Sequence, residues 1–244
     1  MNAQNIYDDE EFFAGYVTLD RQVHGLDGAS EWPVLRSMVP DINGLRVVDL
    51  GCGFGWFSRW ADEHGAKSVL GIDLSTKMLE RASAETTSET VDYLCADLDL
   101  LDLVPEQTDL VFSSLTIHYV RDLDRLMSTI AESLTPGGSL VFSVKHPIYS
   151  APTTQQFEAS AAGHMVWPLD NYLVEGQRVT SWFVDGVVKE LRTLATYVNT
   201  VVESGLVLNR VEEFGLSATA KDGHDLADDR HRPWFLLLSA TKPK

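Results

Sequence analysis

Short apolar runs alternate with amphipathic helical patterns along most of this chain. Runs of this length are typical of strands that are buried on both faces of a parallel sheet. The runs that predict strands are residues 47–50, 68–73, 91–96, 109–114, 140–144, 206–211 and 233–240. Between several of them, apolar side chains recur at the three- and four-residue spacing of a helix, most clearly in residues 123–134. The alternation predicts an α/β fold.

Three segments depart from this alternation. An acidic stretch near the amino terminus predicts the start of a helix, with Asp8 as its N-cap. Residues 148–189 have no strong period, but within them residues 172–174 and 179–184 predict two strands that are joined by a turn. Residues 218–232 are charged and predict a loop.

The chain is acidic overall. Its 244 residues include 36 Asp and Glu against 19 Lys and Arg, which gives a formal net charge of −17. A surface of this sign repels nucleic-acid phosphates and anionic lipid. We therefore expect a single domain that acts on a small molecule and binds neither nucleic acid nor a membrane.

The two cysteines, Cys52 and Cys95, lie at the ends of predicted strands and have no metal-site spacing. They are expected to be reduced, half-buried packing residues, and no metal site is predicted. The acidic first residues do not resemble a secretory signal, and no run approaches ~18 apolar residues. The default expectation is a cytoplasmic enzyme, either a monomer or a homodimer.

Candidate chemistry is concentrated after the first predicted strand, where Gly51, Gly53 and Gly55 occupy alternate positions before a helix. A turn without side chains lets backbone N–H groups approach a ligand closely. Open α/β sheets bind their ligands at this end of the strands. The turn therefore predicts a binding site for a small molecule.

The spacing of the glycines indicates which ligand binds. A nicotinamide or flavin site has the pattern G-x-G-x-x-G, but the position of its third glycine is Trp56 here. An acid, Asp49, stands two residues before Gly51. A second acid, Asp73, ends the next strand, where a carboxylate can accept hydrogen bonds from both hydroxyls of a ribose. The glycine spacing and Asp49 favour S-adenosylmethionine over NAD.

Three segments together resemble the class I S-adenosylmethionine-dependent methyltransferases: Asp49-Leu50-Gly51-Cys52-Gly53-Phe54-Gly55, Gly71-Ile72-Asp73-Leu74-Ser75 and Met78-Leu79. The resemblance is greatest to the small-molecule branch typified by ubiquinone/menaquinone-biosynthesis and biotin-pathway methyltransferases, and it covers residues 45–146. It implies a Rossmann-like sheet of seven mostly parallel strands with an antiparallel last strand and helices on both faces. It also implies S-adenosyl-L-methionine as cofactor and S-adenosyl-L-homocysteine as product.

The resemblance also implies roles for single residues. An acid after the third strand, here Asp97, would hydrogen-bond the exocyclic amine of the adenine. An N-terminal helix would cover the cofactor, with Tyr16 and Arg21 facing its carboxylate. The complete set of predicted cofactor-binding residues is Tyr16, Arg21, Asp49, Gly51, Cys52, Gly53, Asp73, Leu74, Met78, Asp97, Leu98, Ser113 and Leu115.

The same resemblance organises the chain within its single domain, residues 1–244. Residues 1–44 would form a helical cover and residues 45–146 the cofactor-binding core. Residues 148–189, called the cap segment below, would form a substrate cap whose aromatic side chains suggest a flat or apolar acceptor. Residues 190–244 would supply the last helix and the C-terminal strand hairpin.

Two histidines, His118 and His146, follow predicted strands at the edge where the site is expected. Because histidine titrates near neutral pH, either one could orient or deprotonate the acceptor, and either could equally be structural. The predicted reaction is transfer of a methyl group to an oxygen, nitrogen or carbon atom of a small molecule. Two alternatives remain: an inactive cofactor-binding regulator, and an NAD-dependent oxidoreductase.

Overall fold

The computed structural model describes residues 4–215 and 232–244 of the chain. Helices α1 to α8 span Glu10–Tyr16, Asp20–Val23, Trp32–Arg36, Trp56–Glu63, Thr76–Glu85, Leu123–Ser133, Pro147–Ser150 and Leu194–Glu203. Strands β1 to β11 span Arg46–Leu50, Ser68–Asp73, Val91–Cys95, Thr108–Ser114, Leu134–Lys145, Glu158–Ala159, Met165–Val166, Gly176–Trp182, Val184–Leu191, Val207–Phe214 and Phe235–Thr241. Within the described residues, no helix is long and apolar enough to cross a membrane.

Seven strands form one sheet in the order β10-β11-β5-β4-β1-β2-β3. Strands β1 to β5 are parallel to one another, whereas β11 is antiparallel to both β5 and β10. The predicted α/β fold, a mostly parallel seven-stranded sheet with a reversed last strand, is therefore confirmed.

Helices cover both faces of this sheet. One apolar core lies between the sheet and helices α6 and α8, with Leu126 and Tyr197 among its buried side chains. The other lies against α3 and α4 and includes Leu35 and Phe57. Burial on both faces explains why the central strands are almost continuously apolar.

The order of the strands determines where a ligand can bind. Successive connections leave β1 in opposite directions, first toward β2 and β3 and then back to β4 and β5. A crevice opens at the carboxyl ends of the strands where the order reverses, which here is between β1 and β4. The glycine turn after β1 lies at this point.

The N-terminal segment differs from the prediction in its details. Asp9, and not Asp8, is the N-cap of α1, where its side chain accepts the backbone N–H of Phe12. Asp8 instead accepts a hydrogen bond from the hydroxyl of Ser75 and so joins the N-terminal segment to the start of α5. The prediction that Asp8 caps the helix was wrong because its carboxylate has this distant partner.

The hairpin in the cap segment is also displaced from its predicted position. Strands β8 and β9 pair from Gly176 to Leu191, and the chain reverses at Phe183, which has a left-handed φ of +61°. The predicted turn therefore belongs to the beginning of β8, and residues 172–174 are not a strand. Residues 216–231, which include most of the predicted charged loop, lie outside the described residues.

Both cysteines are free thiols, as predicted, but their burial differs. Cys52 is buried beneath the glycine turn, whereas Cys95, the last residue of β3, is exposed. The expectation that both are half-buried was wrong: Cys52 lies under the turn, and Cys95 is exposed because β3 is the edge strand of the sheet.

Candidate functional site

The glycine turn uses its own N–H groups to bind neighbouring parts of the protein. The N–H groups of Gly51 and Cys52 both donate to the carbonyl of Ile72, at 2.7 and 3.0 Å. The N–H of Gly53 donates to Oδ2 of Asp73 at 2.9 Å. The expectation that these donors meet a ligand was therefore wrong for all three residues. Their hydrogen bonds connect the end of β1 to the end of β2.

What the glycines supply is space. Gly51 has a φ of +71°, and a Cβ on it would lie 2.0 Å from Oγ1 of Thr116. Gly53 has a φ of +53°, yet a Cβ there would meet no atom within 4 Å, because the residue faces an open cavity. The turn thus presents bare backbone to the cavity, and a side chain would fill that space.

The carboxylate of Asp73 lies beside this bare backbone, and two backbone N–H groups fix its orientation. Oδ1 accepts the N–H of Ser75 and Oδ2 that of Gly53, each at 2.9 Å. A carboxylate has about four acceptor positions, so the carboxylate retains acceptor capacity for a ligand. Burial raises the pKa of Asp73 above its ordinary value, although these hydrogen bonds oppose the shift. The group is suited to accept a pair of hydroxyls.

The cavity has a volume of about 650 Å³ and follows the carboxyl ends of the strands. This volume is in the range of small-molecule sites. It is lined by the N-terminal segment, by the ends of β1 to β5 and by the β8–β9 hairpin. Ten of the predicted cofactor-binding residues line it: Tyr16, Arg21, Gly51, Gly53, Asp73, Leu74, Met78, Asp97, Leu98 and Leu115.

Three of the predicted residues do not reach the cavity. Asp49 is only 2% exposed and accepts the hydroxyl hydrogen of Ser58 at 2.7 Å. Burial raises the pKa of Asp49 to about 7. Ser113 donates its hydroxyl to the carbonyl of Leu50 at 2.8 Å, and Cys52 is buried behind the turn. These three residues pack under the turn, on the side away from the cavity. The prediction that they contact the cofactor was therefore wrong.

Leu115 adopts an unusual conformation directly after β4. Its φ is +55°, which is strained for a bulky side chain. Ser143 stabilises this conformation. The backbone N–H of Leu115 donates to the carbonyl of Ser143 at 2.9 Å and to the hydroxyl of Ser143 at 3.1 Å. Strain that is maintained in this way tends to occur at functional sites. It marks the carboxyl end of β4 as part of the site.

The N-terminal segment contributes a buried ion pair. The guanidinium of Arg21 donates to Oε1 of Glu31, a carboxylate that is only 1% exposed. The hydroxyl of Tyr16 accepts a hydrogen bond from the side-chain amide of Gln22 at 2.8 Å, and burial raises the pKa of this phenol to about 12. Both predicted side chains are therefore held at the wall of the cavity.

The two candidate histidines have different surroundings. His118 lines the cavity, and its Nδ1 accepts the backbone N–H of Lys145 at 3.4 Å. Burial, with the charges of Lys189 and Lys145, holds the pKa of His118 well below its ordinary value. The ring is therefore neutral, and its proton is on Nε2.

His146 lies outside the cavity lining. Its Nδ1 accepts the N–H of Ile148 at the start of α7, and its Nε2 pairs with Glu213 at 3.0 Å. Both ring nitrogens thus have structural partners. The predicted catalytic role of His146 is withdrawn, because the chain turns its side chain toward β10 and away from the cavity.

Several residues of the lining were not predicted as site residues. The hydroxyl of Tyr7 donates to that of Tyr119 at 3.2 Å, and Lys145 and Lys189 lie on the side of the cap segment. Lys145 could have been suspected, since it ends a strand at the correct edge. Lys189 belongs to no motif, and only the folding of the hairpin brings it to the cavity.

Comparisons with known proteins find similar sequences and structures. A sequence model of a methyltransferase domain matches residues 48–142. A solved S-adenosylmethionine-dependent methyltransferase from Mesorhizobium loti is 52% identical with a TM-score of 0.84, over 89% of this chain and 100% of that one. A putative S-adenosylmethionine-dependent methyltransferase from Listeria monocytogenes is 38% identical with a TM-score of 0.79, over 88% and 99% of the two chains.

A curated relative covers less of the chain. The malonyl-[acyl-carrier protein] O-methyltransferase of Hamiltonella defensa is 34% identical over 109 residues, which are 45% of this chain and 41% of that protein. This similarity is therefore partial.

Proposed function

Because the chain belongs to the class I S-adenosylmethionine-dependent methyltransferases, we propose that it methylates a small molecule held between the glycine turn and the cap segment. S-adenosylmethionine is the cofactor. The proposed acceptor atom is oxygen, nitrogen or carbon. The name of the partial relative, an O-methyltransferase, supports oxygen.

One observation carries the proposal: bare backbone at Gly53 adjoins the carboxylate of Asp73, which retains acceptor capacity toward the cavity. These residues fit a nucleoside, because its ribose needs both close approach and a partner for two hydroxyls. Asp97, at the end of the next strand, also lines the cavity and is the proposed partner of the adenine amine. Leu74, Met78 and Leu98 supply apolar surface for the ring.

When bound, S-adenosylmethionine supplies a methyl group that its sulfonium already activates for in-line displacement, so placement of the acceptor accounts for much of the rate. The chain's own residues enclose the acceptor. Gln4 joins the N-terminal segment to the cap segment, since its side chain donates to Gly186 at 2.8 Å and accepts from Val188 at 2.9 Å. We propose residues 1–44 as the cover and the cap segment as the wall on the acceptor side.

His118 is proposed to orient the acceptor and not to deprotonate it. Its Nδ1 already accepts a backbone N–H, and Nε2 carries the proton of the neutral ring. A hydrogen bond from Nε2 would position an acceptor oxygen, but neither nitrogen is available to take a proton from it.

His118→Ala is therefore expected to lower turnover only about fivefold, the effect of one neutral hydrogen bond. His118→Asn, which retains a donor, is expected to recover part of the loss. The measurement is initial velocity against pH, with the exposed His64→Ala as control. Loss of about 100-fold or more, together with loss of an acidic limb in the pH profile, would establish a base and contradict this role.

Parallel calorimetric titrations test the proposed function. We expect S-adenosylmethionine and S-adenosylhomocysteine to bind with dissociation constants of about 1 μM to 10 μM, which correspond to about −8 to −7 kcal/mol, and NAD not to bind. Binding of NAD alone would contradict the proposal. Tight binding of the first two, without methyl transfer to any acceptor of a broad screen, would favour the inactive regulator.

A further inference from the structure

Two lysines lie at the acceptor end of the cavity without acidic partners. Lys145 ends β5, and Lys189 lies in β9 of the cap segment. Within the described residues, neither lysine forms an ion pair with a carboxylate. This is unexpected in a chain of net charge −17, in which acids outnumber Lys and Arg by 36 to 19.

Aromatic rings surround the two ammonium groups instead. Nζ of Lys145 lies 3.8 Å from the ring centre of Tyr149. Nζ of Lys189 lies 4.9 Å from the ring centre of Trp182 and 5.7 Å from that of Tyr119. Ring faces attract a cation and hold it in place, but they do not neutralise its charge. Both ammonium groups therefore keep the capacity to bind an anion.

A third cation stands behind them. Arg192 is only 8% exposed, and its Nη2 donates to the carbonyls of Val120 and Arg121 at 2.6 and 2.9 Å. Its Nη1 is buried and has no hydrogen-bond partner among the described residues. A buried donor without a partner is costly, which suggests that a ligand or a water completes it.

A small side pocket connects these groups. It has a volume of about 20 Å³. Four cationic side chains line it, together with His118 and one acid, Glu190: Lys145, Arg178, Lys189 and Arg192. Both lysines, His118 and Glu190 also line the main cavity, so positive charge outweighs negative charge in the side pocket. This is room for about one water-sized group. One oxygen of an oxyanion fits there, whereas a ring does not.

The positive charges around the side pocket repel one another when no anion is bound. Burial, followed by the charges of Lys189, Arg232 and Arg21, lowers the pKa of Lys145 to about 7, and the charge of Glu31 opposes this only weakly. Burial lowers the pKa of Lys189 to about 8. Burial and mutual repulsion both disfavour these positive charges. Cations that are held together despite this cost are expected where an anion binds.

We propose that Lys145 and Lys189, backed by Arg192, form an anion-binding subsite, and that the methyl acceptor is a small molecule with a carboxylate or phosphate group. The inference rests on the proposed function and names its substrate class. The aromatic residues of the cap segment alone suggested a flat or apolar acceptor; the proposal retains a flat acceptor and replaces a wholly apolar one.

The subsite makes a prediction about pH. A bound anion raises the pKa of Lys145, so binding takes up a proton wherever Lys145 is neutral in the free protein. Affinity for a fully ionised anion should be greatest below about pH 7 and should fall as pH rises above it. The fall is at most tenfold per pH unit while only Lys145 loses its proton, and it becomes steeper above about pH 8, where Lys189 also loses its proton.

Calorimetry on protein saturated with S-adenosylhomocysteine tests the subsite. The probes are malonate and inorganic phosphate, with uncharged malonamide as control. We expect at least one anion to bind and malonamide not to bind. Lys145→Met and Lys189→Met are each expected to weaken anion binding about tenfold, whereas the exposed Lys67→Met should have no effect. The two anions decide between a carboxylate and a phosphate.

The possible failures can be distinguished. Affinity for S-adenosylhomocysteine is expected to stay within about twofold of wild type in each lysine variant, which also shows that the variant is folded. No anion binding by the wild-type protein, equal binding of malonamide, or unchanged anion affinity in both variants would overturn the subsite. Failure of the wild-type protein to bind S-adenosylhomocysteine would instead overturn the proposed function.

Discussion

Gly51→Ala is expected to lower the free energy of unfolding by about 2–5 kcal/mol, a large part of the total stability of a domain. Alanine at a φ of +71° costs about 1–2 kcal/mol in backbone strain. The new Cβ would also lie 2.0 Å from Oγ1 and 2.5 Å from Cβ of Thr116, so rotation of the threonine cannot relieve the overlap. Overpacking of this kind adds about 1–3 kcal/mol.

Gly44→Ala is the matched control for this prediction. Gly44 has a φ of +78°, but a Cβ there would meet no atom within 4 Å. Its replacement should cost only the strain of about 1–2 kcal/mol. Chemical denaturation of both variants and the wild type measures the difference. Equal losses in the two variants would contradict the close approach of Thr116 to the turn.

The parts of the site that the sequence predicts well are short and local. Gly51, Gly53, Asp73 and Asp97 each lie within a few residues of the end of a strand. Parallel strands all have their carboxyl ends at one edge of the sheet. Recognising the strands is therefore enough to predict that these residues lie close together. No knowledge of packing is needed for that step.

The direction of a side chain at the end of a strand is harder to predict. Asp49 and Ser113 both precede the open edge, yet Asp49 points toward Ser58 and Ser113 toward the carbonyl of Leu50. Side chains alternate between the faces of a strand, so an error of one residue reverses the direction. His146 shows a similar error, because its N-cap bond and its pairing with Glu213 depend on how the following residues fold.

The acceptor end of the cavity depends on contacts that are distant in sequence. Lys145 and Lys189 are 44 positions apart, and they meet because the β8–β9 hairpin turns at Phe183. The left-handed conformation of Phe183 has no signal in the sequence, since most bulky residues avoid it. Its ring packs over Gly15 of α1, where a Cβ would lie 2.5 Å from it. Tertiary packing, and not local preference, therefore determines this turn.

Asp73→Ala is expected to weaken the binding of S-adenosylhomocysteine about 100-fold, which corresponds to about 2.8 kcal/mol. The variant loses the proposed partner of both ribose hydroxyls. Hydrogen bonds to a charged group contribute about 1.5–3 kcal/mol each, and two bonds at the lower end of this range account for the expected loss. It also releases the N–H groups of Gly53 and Ser75, which the carboxylate holds at 2.9 Å. Asp73→Asn retains one acceptor oxygen, so its affinity for S-adenosylhomocysteine should lie between those of Asp73→Ala and the wild type.

Calorimetric titration of S-adenosylhomocysteine into the wild type, Asp73→Ala and Asp92→Ala tests most directly whether this end of the cavity holds the cofactor. Asp92 is exposed on the neighbouring strand β3 and does not line the cavity, so its variant is the control. We predict about 100-fold weaker binding for Asp73→Ala and unchanged binding for Asp92→Ala. Binding by Asp73→Ala within about threefold of wild type would contradict the placement of the cofactor at the glycine turn.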